Sequence, residues 1–271
     1  MPGNDPQLYL AGLAAHSQGR TDTRAPLVFL HGLTYDRRHW QPVLDELAVL
    51  DPDRRIVTLD LPGHGGSPVP DSYRFEAVVA TIRQAVNEAE LEAPVLVGHS
   101  LGAVLATGYA AAHPARGVVN LDQPLVLGGF GSFLQQVEPV LRGPGFADIW
   151  DRLVANMHPE LLPPSAQELL RTNTVRQDLL LGYWADIFTD PDALDARRRE
   201  DLRRIAAQGI AYHHVAGQEI DPEYRRWMQA LVPTVSFTVL PDSGHFPHLA
   251  HPRAVAEILS LVGLHKGTPL L

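Results

Sequence analysis

Positions 95 to 103 read Val95-Leu96-Val97-Gly98-His99-Ser100-Leu101-Gly102-Ala103. An apolar run that suits a buried strand passes directly into small residues that suit the start of a helix. The pattern Gly-x-Ser-x-Gly in such a setting is typical of a nucleophilic serine. The serine must occupy a sharp, strained turn with tiny neighbours, and Gly98 and Gly102 give that clearance. The N-terminal dipole of the helix would favour a developing oxyanion, so we predict Ser100 as a nucleophile.

Short apolar runs similar to the one before Ser100 recur along the chain. Each is too short for a helix and ends at a turn signal, so it predicts a strand buried on both faces. Helical patterns separate the runs, and this alternation predicts an α/β fold, a mostly parallel sheet with helices on both faces. Ligands are then expected at the carboxyl ends of the strands. The predicted strands are 27–30, 55–60, 94–97, 117–121, 210–215 and 235–240, and the predicted helices are 39–50, 74–90, 101–113, 222–231 and 252–263.

The alternation of strands and helices breaks between residues 125 and 205. This stretch has glycines followed by helical patterns, and it lacks a convincing strand. We therefore expect a core made of residues 1–124 and 206–271, with 125–205 inserted as a helical lid over the carboxyl edge of the sheet. Its large aromatic residues fit either an apolar pocket beneath the lid or the lid's own core. These residues are Trp150, Trp184 and Phe188.

The turn Leu30-His31-Gly32-Leu33 follows the first clear apolar run. An acyl-transfer site needs backbone N–H donors for the oxyanion of its tetrahedral intermediate. One donor is expected from the residue after the nucleophile, Leu101, and another from the loop after an earlier strand. Leu33 is the natural candidate for the second donor. The competing interpretation is that His31-Gly32 is only a tight turn.

A general base for Ser100 is predicted at His245. This histidine lies in a segment that follows the last apolar run and precedes a helix, and Gly244 gives the loop conformational freedom. A base late in the chain also fits the order nucleophile, acid, histidine. The segment reads Pro241-Asp242-Ser243-Gly244-His245-Phe246-Pro247.

Further histidines, His248 and His251, follow His245 at three-residue spacing. A histidine triplet of this kind can indicate a metal site. Pro247 and Pro252 interrupt the helix that would align the side chains, so we predict no metal at this position.

These patterns together resemble the α/β-hydrolase superfamily over nearly the whole chain. The likeness is closest to its lid-bearing group of esterases, carbon–carbon hydrolases, lactonases and cofactor-free haloperoxidases. It extends to two segments whose form is typical of that group, Asp60-Leu61-Pro62-Gly63-His64-Gly65-Gly66-Ser67 and Gly244-His245-Phe246-Pro247-His248. The resemblance implies an enzyme that needs no cofactor. It also implies the site residues, namely Ser100 as nucleophile, His245 as proton relay, and Leu33 and Leu101 as N–H donors.

The carboxylate that would orient His245 is left open by the pattern. In the family that the chain resembles, the acid commonly stands three residues after a glycine that follows the penultimate strand. That position holds Ile220 here, with Glu219 and Asp221 on either side. A minority of the superfamily places the acid after the strand that follows the nucleophile's helix, where this chain has Asp122. Asp122 and Asp221 are the leading candidates and Glu219 the third, against a turn residue at Asp122 and a helix N-cap at Asp221.

Composition limits the remaining possibilities for the 271 residues. A hydrophobic content of 45% suits a globular core, and the absence of cysteine excludes disulfides and thiol catalysis. No window approaches an apolar membrane span, and the N-terminus has no signal-peptide pattern, so we expect a cytoplasmic protein. The formal net charge of −9 argues against nucleic acid or an anionic membrane as a partner. The run Arg197-Arg198-Arg199, flanked by acidic residues, predicts a solvated helix face.

The function that these residues predict is hydrolysis of a small, largely apolar carboxylic ester or lactone through an acyl-enzyme on Ser100. Carbon–carbon bond hydrolysis, amide hydrolysis and perhydrolysis use the same triad and stay open. A weakly catalytic receptor that closes its lid on a small molecule is the alternative from another class. Haloalkane dehalogenase and epoxide hydrolase chemistry is disfavoured, because both need Asp where this chain has Ser100. The expected partner is a small-molecule substrate, and no pattern specifies an oligomeric state.

Overall fold

The computed structural model of the chain describes residues 8–262, and an eight-stranded sheet lies at its centre. The strands are β1 (Leu8–Leu10), β2 (Leu13–Gln18), β3 (Leu27–Leu30), β4 (Ile56–Leu59), β5 (Val95–His99), β6 (Gly117–Leu121), β7 (Ala211–Ala216) and β8 (Ser236–Val239). Their order across the sheet is β1-β2-β4-β3-β5-β6-β7-β8. All neighbours from β4 to β8 pair in parallel, whereas β2 pairs antiparallel with both β1 and β4.

Helices cover both faces of the sheet and its carboxyl edge. They are α1 (Gln41–Leu50), α2 (Phe75–Glu88), α3 (Leu101–Ala112), α4 (Gly128–Leu141), α5 (Phe146–Ala155), α6 (Pro164–Arg171), α7 (Gln177–Tyr183), α8 (Ala185–Thr189), α9 (Pro191–Ala207), α10 (Pro222–Leu231), α11 (Pro247–Ala250) and α12 (Pro252–Leu261), with 3₁₀ turns at Arg37–Trp40 and Pro159–Leu161. Within residues 8–262, none of the helices combines the length and the apolar character that crossing a membrane requires.

The core consists of hydrophobic clusters on the two faces of the sheet, and alternate strand residues enter each of them. In β3, Val28 and Leu30 join the cluster beneath α2 and α3, whereas Leu27 and Phe29 join the cluster beneath α1 and α12. Each of these side chains is fully buried. Burial on both faces explains why the strand reads as a continuous apolar run and not as an alternating one.

The predicted α/β fold class is confirmed. Every predicted strand and helix is present, and its bounds agree with the prediction to within one or two residues. The predicted end of the last helix at 263, and residues 1–7 and 263–271 of the predicted core, lie outside the described residues. The prediction missed β1 and β2, because β2 has small and then polar side chains and presents only part of its length to the core.

The segment predicted as a lid, residues 125–205, contains α4 to α8 and most of α9, with no strand among them. Helices α4, α5, α7 and α8 share a hydrophobic cluster that also includes Leu33, after β3, whereas α6 packs in a separate cluster with Tyr35 and Phe246. Helix α9 contacts α8 at its start, where Leu194 packs on the same cluster as α4, α5, α7 and α8, and then packs against α3 and α10, where its Leu202 and Ile205 belong to the core on that face of the sheet. The helices α4 to α8 therefore lie over the edge where ligands are expected, and their role as a lid stays a prediction.

Candidate active site

Ser100 lies on the turn between β5 and α3 with a φ of 52° and a ψ of −121°. This conformation is strained for any residue other than glycine. A Cβ at Gly98 would lie 2.3 Å from the backbone oxygen of Gly102, and a Cβ at Gly102 would lie 2.0 Å from the backbone oxygen of Leu30. The contacts leave no room for a side chain at either glycine, and they press the first turn of α3 against the sheet.

Asp122 and His245 form a hydrogen bond of 2.8 Å between carboxylate Oδ2 and ring Nδ1. The other carboxylate oxygen, Oδ1, accepts the N–H of Gly217 at 2.7 Å. Asp122 follows β6 directly with a φ of 56°, and its own N–H donates to the carbonyl of Val215 at 2.7 Å. The carboxyl ends of β6 and β7 thus fix the carboxylate. Because Nδ1 carries the proton towards Asp122, Nε2 of the neutral ring is free to act as a base.

Asp221 and Glu219, the other candidate acids, lie elsewhere at the sheet edge. Asp221 is the N-cap of α10, where its Oδ1 accepts the N–H of Glu223 at 2.6 Å and that of Tyr224 at 3.0 Å. Both candidates are exposed, and neither forms a hydrogen bond with His245 within residues 8–262. The structure therefore brings His245 together with Asp122 and leaves Asp221 as a helix cap.

Ser100 and His245 border the same cavity. Their side chains form no hydrogen bond with each other in this structure, and such catalytic contacts often tighten only when substrate binds.

The main chain of His245 is held on two sides. Its N–H donates to the carbonyl of Met157 at 2.9 Å, and its carbonyl accepts the ring N–H of His99 at 2.7 Å. His245 is therefore anchored both to the strand that precedes Ser100 and to the segment after α5.

Leu33 and Leu101 border the cavity as well, and the backbone N–H of each has no hydrogen-bond partner within residues 8–262. Leu101 is the first residue of α3, where backbone N–H groups have no acceptor inside the helix. These two free N–H groups suit the stabilisation of an oxyanion next to Ser100.

Two buried histidines brace the loop that contains Leu33. The Nε2 atom of His64 accepts the N–H of Thr34 at 3.0 Å, and the Nε2 atom of His31 accepts the N–H of Leu61 at 2.9 Å. Burial lowers the pKa of His31 to about 4 and that of His64 to about 3, so both rings are neutral near pH 7 and can accept these bonds. Sequence reasoning missed this role, although a His-Gly turn after each of two strands was an available signal.

The cavity beside Ser100 has a volume of about 630 Å³, and much of its wall is apolar. The helices over the sheet edge contribute Phe130, Trp150, Leu153, Met157, Trp184 and Ile187 to this wall. Trp150 and Trp184 also belong to the hydrophobic cluster of these helices, so both interpretations of the aromatic residues apply to them. Phe188 does not border the cavity; it lies beneath the guanidinium of Arg142, 5.9 Å from the ring centroid.

The run Arg197-Arg198-Arg199 is not the uniformly solvated face that the sequence predicted. Arg197 and Arg198 are half-buried and border the cavity. Only Arg199 is exposed, with its guanidinium 5.6 Å from the ring centroid of Trp227. The prediction was wrong because consecutive helical residues point in different directions around the axis, so a helix packed on two sides turns part of such a run inwards.

The histidines that follow His245 do not converge with it. The ring of His248 is buried between Trp40 and His99, with centroid distances of 4.8 Å and 4.4 Å. His251 donates from Nε2 to the carbonyl of Pro241 at 2.6 Å. Within the described part of the chain, no group of three or more His, Asp or Glu side chains is arranged to hold a metal ion.

A mostly parallel sheet that carries a serine on the strained turn after a central strand, beside a histidine–carboxylate pair, defines an enzyme class of α/β-hydrolase architecture. A model of the alpha/beta hydrolase family matches residues 27–258. The chain therefore belongs to the alpha/beta hydrolase family, and the resemblance predicted from the sequence is confirmed.

The chain is similar to several proteins whose names denote different activities. The 2-succinyl-6-hydroxy-2,4-cyclohexadiene-1-carboxylate synthase of an Enterobacter species is 28% identical over 252 residues, which cover 87% of this chain and 90% of the relative. The biotin biosynthesis bifunctional protein BioHC of Teredinibacter turnerae is 26% identical over 257 residues, or 88% of this chain and 44% of the relative. This chain thus spans less than half the length of BioHC. The solved structure of AqDC, described as recognising the Pseudomonas quinolone signal and cleaving its ring, superposes with a TM-score of 0.74 at 20% identity, over 92% of this chain and 94% of AqDC.

Proposed function

We propose that this chain is a serine hydrolase in which Ser100, His245 and Asp122 form a catalytic triad. The observation that carries the proposal is the 2.8 Å hydrogen bond from His245 Nδ1 to Asp122 Oδ2, beside the strained turn of Ser100. Asp221 and Glu219 lack this contact, which favours Asp122 as the acid. A carboxylate in this position holds the tautomer of the imidazole and stabilises the imidazolium that forms.

In the proposed reaction, Ser100 Oγ attacks the carbonyl carbon of the substrate while His245 Nε2 takes the hydroxyl proton. The backbone N–H groups of Leu33 and Leu101 stabilise the charge that develops on the carbonyl oxygen. His245 then gives its proton to the leaving alkoxide, and the acyl group remains on Ser100. His245 then deprotonates a water molecule, which attacks the acyl carbon. The bond to Ser100 Oγ breaks, Oγ takes the proton back from His245, and the carboxylic acid is released.

The proposed substrate is a small carboxylic ester or lactone with a largely apolar body. The apolar wall that α4, α5, α7, α8 and the turns next to them contribute beside Ser100 supports this class, because such a wall favours carbon chains and excludes water. We propose the same helices as the lid. Carbon–carbon bond hydrolysis, perhydrolysis and ligand reception are the other uses of the site, and we expect a small-molecule partner in each case.

Labelling with a fluorophosphonate and turnover of p-nitrophenyl butyrate test the proposed function. We expect the label on Ser100, located by peptide mass, and ester turnover that falls by about 10⁶-fold in Ser100→Ala. Labelling of Ser100 without ester turnover would favour a receptor or another reaction on the triad. Ester turnover that survives in Ser100→Ala would rule out Ser100 as the nucleophile.

A further inference from the structure

One part of the cavity wall comes from α9, α10 and β7, and it carries polar side chains. Arg198 of α9 borders the cavity, and its Nη1 donates to the carbonyl of Leu125 at 3.3 Å. Within residues 8–262 the guanidinium makes no other hydrogen bond and forms no ion pair. A guanidinium has five N–H donors, so this half-buried side chain has donors to spare for a group inside the cavity.

Tyr224 and His214 border the cavity beside Arg198. The N–H of Leu125 donates to the hydroxyl of Tyr224 at 3.2 Å, so Leu125 links Arg198 to Tyr224 through its two backbone groups. The proton of the Tyr224 hydroxyl has no acceptor within the described residues. The ring of His214 lies 5.5 Å from that of Tyr224, is 3% exposed, and has a buried Nδ1 without a hydrogen-bond partner. Buried polar atoms without partners are rare in folded proteins, and His214 Nδ1 is such an atom, next to the unused hydroxyl proton of Tyr224.

The carboxylates near Arg198 do not neutralise it by contact. Glu76 pairs with the preceding residue, Arg197, whose Nε also lies 3.9 Å from Asp201. The carboxylate of Asp195 accepts a backbone N–H at 2.9 Å. Burial raises the pKa of Asp201 to about 6, so its carboxylate is still mostly ionised at pH 7, but it forms no ion pair with Arg198.

His214 adds a hydrogen-bond donor next to Arg198 without adding a second positive charge. Burial lowers the pKa of His214 to about 4, so the ring is uncharged near pH 7 and can donate one N–H. One positive charge accompanied by neutral donors suits a ligand group with a single negative charge. A dianion would meet too little positive charge next to Asp195 and Asp201.

We infer that Arg198, Tyr224 and His214 form a subsite for a carboxylate, and that the substrate is an ester or lactone with a carboxylate remote from its reacting carbonyl. The inference rests on the proposed function, because the subsite and Ser100 border one cavity. A guanidinium binds a carboxylate through parallel N–H bonds, and the phenol and imidazole donate further bonds to it. The apolar wall contacts the carbon chain between the two ends of the substrate.

Half-esters of dicarboxylic acids test the subsite. The mono-p-nitrophenyl esters of adipic and suberic acid are compared with p-nitrophenyl hexanoate and octanoate, which match them in chain length and lack the carboxylate. We expect the wild type to favour the half-esters in kcat/KM. Arg198→Gln should lower the ratio of half-ester to neutral ester by about 100-fold, mainly through KM. Arg198→Lys should keep part of the preference, because it retains the charge without the planar fork.

Arg199→Gln is the matched control, since Arg199 is the exposed member of the same run and should leave the ratio unchanged. Thermal unfolding checks that each variant folds. Equal use of both ester series by the wild type, or an unchanged ratio in Arg198→Gln, overturns the subsite while ester hydrolysis stands. If neither series is hydrolysed, the proposed function fails, and calorimetry with free adipate decides on the subsite. Saturable binding that Arg198→Gln abolishes then supports the subsite, and no binding to the wild type overturns it.

Discussion

At Ser100 the backbone keeps a conformation that costs on the order of 1–3 kcal/mol, and its neighbours prevent relaxation. The first turn of α3 lies so close to β3 and β5 that Gly98 and Gly102 have space only for hydrogen atoms. The turn places Ser100 at the border of the cavity. The two glycines of the motif are therefore required by the short distances between the backbones of α3, β3 and β5.

Gly102→Ala should destabilise the protein by about 2 kcal/mol or more and reduce turnover, because overpacking against backbone cannot be relieved by a rotamer change. The added Cβ would lie 2.0 Å from the carbonyl oxygen of Leu30. Gly129→Ala in α4 is the matched control, since a Cβ there meets nothing within 4 Å and alanine favours the helix. Urea denaturation measures both variants, and similar free energies of unfolding would contradict the expectation.

Asp122→Asn should lower kcat for p-nitrophenyl butyrate by about 10⁴-fold, because an amide cannot hold the productive tautomer of His245. Asp221→Asn should cost far less, since asparagine caps helices about as well as aspartate does. Steady-state kinetics of the two variants separate the candidate acids. A larger loss in Asp221→Asn would transfer the role of the acid to that residue.

At the scale of elements, the loop after β3 depends on the loop after β4. His31, after β3, accepts the backbone N–H of Leu61, and His64, after β4, accepts the backbone N–H of Thr34. Each ring nitrogen can accept such a bond only while the ring is neutral. The loop that carries Leu33 is thereby fixed before substrate arrives, which is the condition for an effective oxyanion site.

His64→Ala should lower kcat by roughly 10- to 100-fold with a smaller change in KM, because the loop would no longer hold the N–H of Leu33 in place for the transition state. His113→Ala is the control, since His113 is half-buried at the far end of α3 and does not border the cavity. Steady-state kinetics with p-nitrophenyl butyrate measure both. Equal kcat values for the two variants would show that the brace is dispensable.

Strands buried on both faces were predictable from the sequence. Elements whose burial is set by packing against another element, and not by an apolar run of their own, were not. β3 and β5 are continuous apolar runs, because both faces lie in the core. β2 has three buried residues followed by three half-buried ones, so its sequence has neither an apolar run nor a clear alternation. The burial of Arg197 and Arg198 on α9 was not predictable for the same reason. Arginines next to acidic residues predict a solvated face, and only the packing of α9 against α3 shows that this side faces inwards.

The sequence left the candidate acids Asp122 and Asp221 undecided for a related reason. Asp122 and Asp221 both follow strands at the carboxyl edge of the sheet, so position along the chain makes them equivalent. Their difference lies in partners: the N–H of Gly217 and the ring of His245 bind Asp122, whereas the start of α10 binds Asp221. The contacts of Asp122 join residues about a hundred positions apart, whereas the cap at Asp221 is local.

For the molecule as a whole, buried histidines set the response to acid. Burial is the main cause that lowers the pKa of several of them to about 4 or below; these are His31, His39, His64, His213 and His214. In the unfolded chain a histidine titrates near pH 6.5. Below that pH the unfolded state binds more protons than the native state, so stability decreases as the pH falls from about 6.5 towards 4.

The free energy of unfolding should therefore fall between pH 7 and pH 5, by up to about 1.4 kcal/mol per pH unit for each such histidine. Urea denaturation at several pH values measures this slope. His213→Gln removes one of the titrating rings, which bonds Ser236 and Thr238 and does not border the cavity, and should make the slope shallower. A free energy of unfolding that is constant between pH 5 and pH 7 would contradict the expectation.

The bond between the N–H of His245 and the carbonyl of Met157 limits how this protein can be recombined. A Cβ at Gly244 would lie 2.3 Å from the same carbonyl, so the two segments meet backbone to backbone. A chimaera that exchanges residues 125–205 also exchanges the acceptor that anchors the histidine. A graft of a new substrate pocket should therefore exchange the segment around Met157 and the loop around Gly244 together, so that both sides of the contact come from the same parent protein.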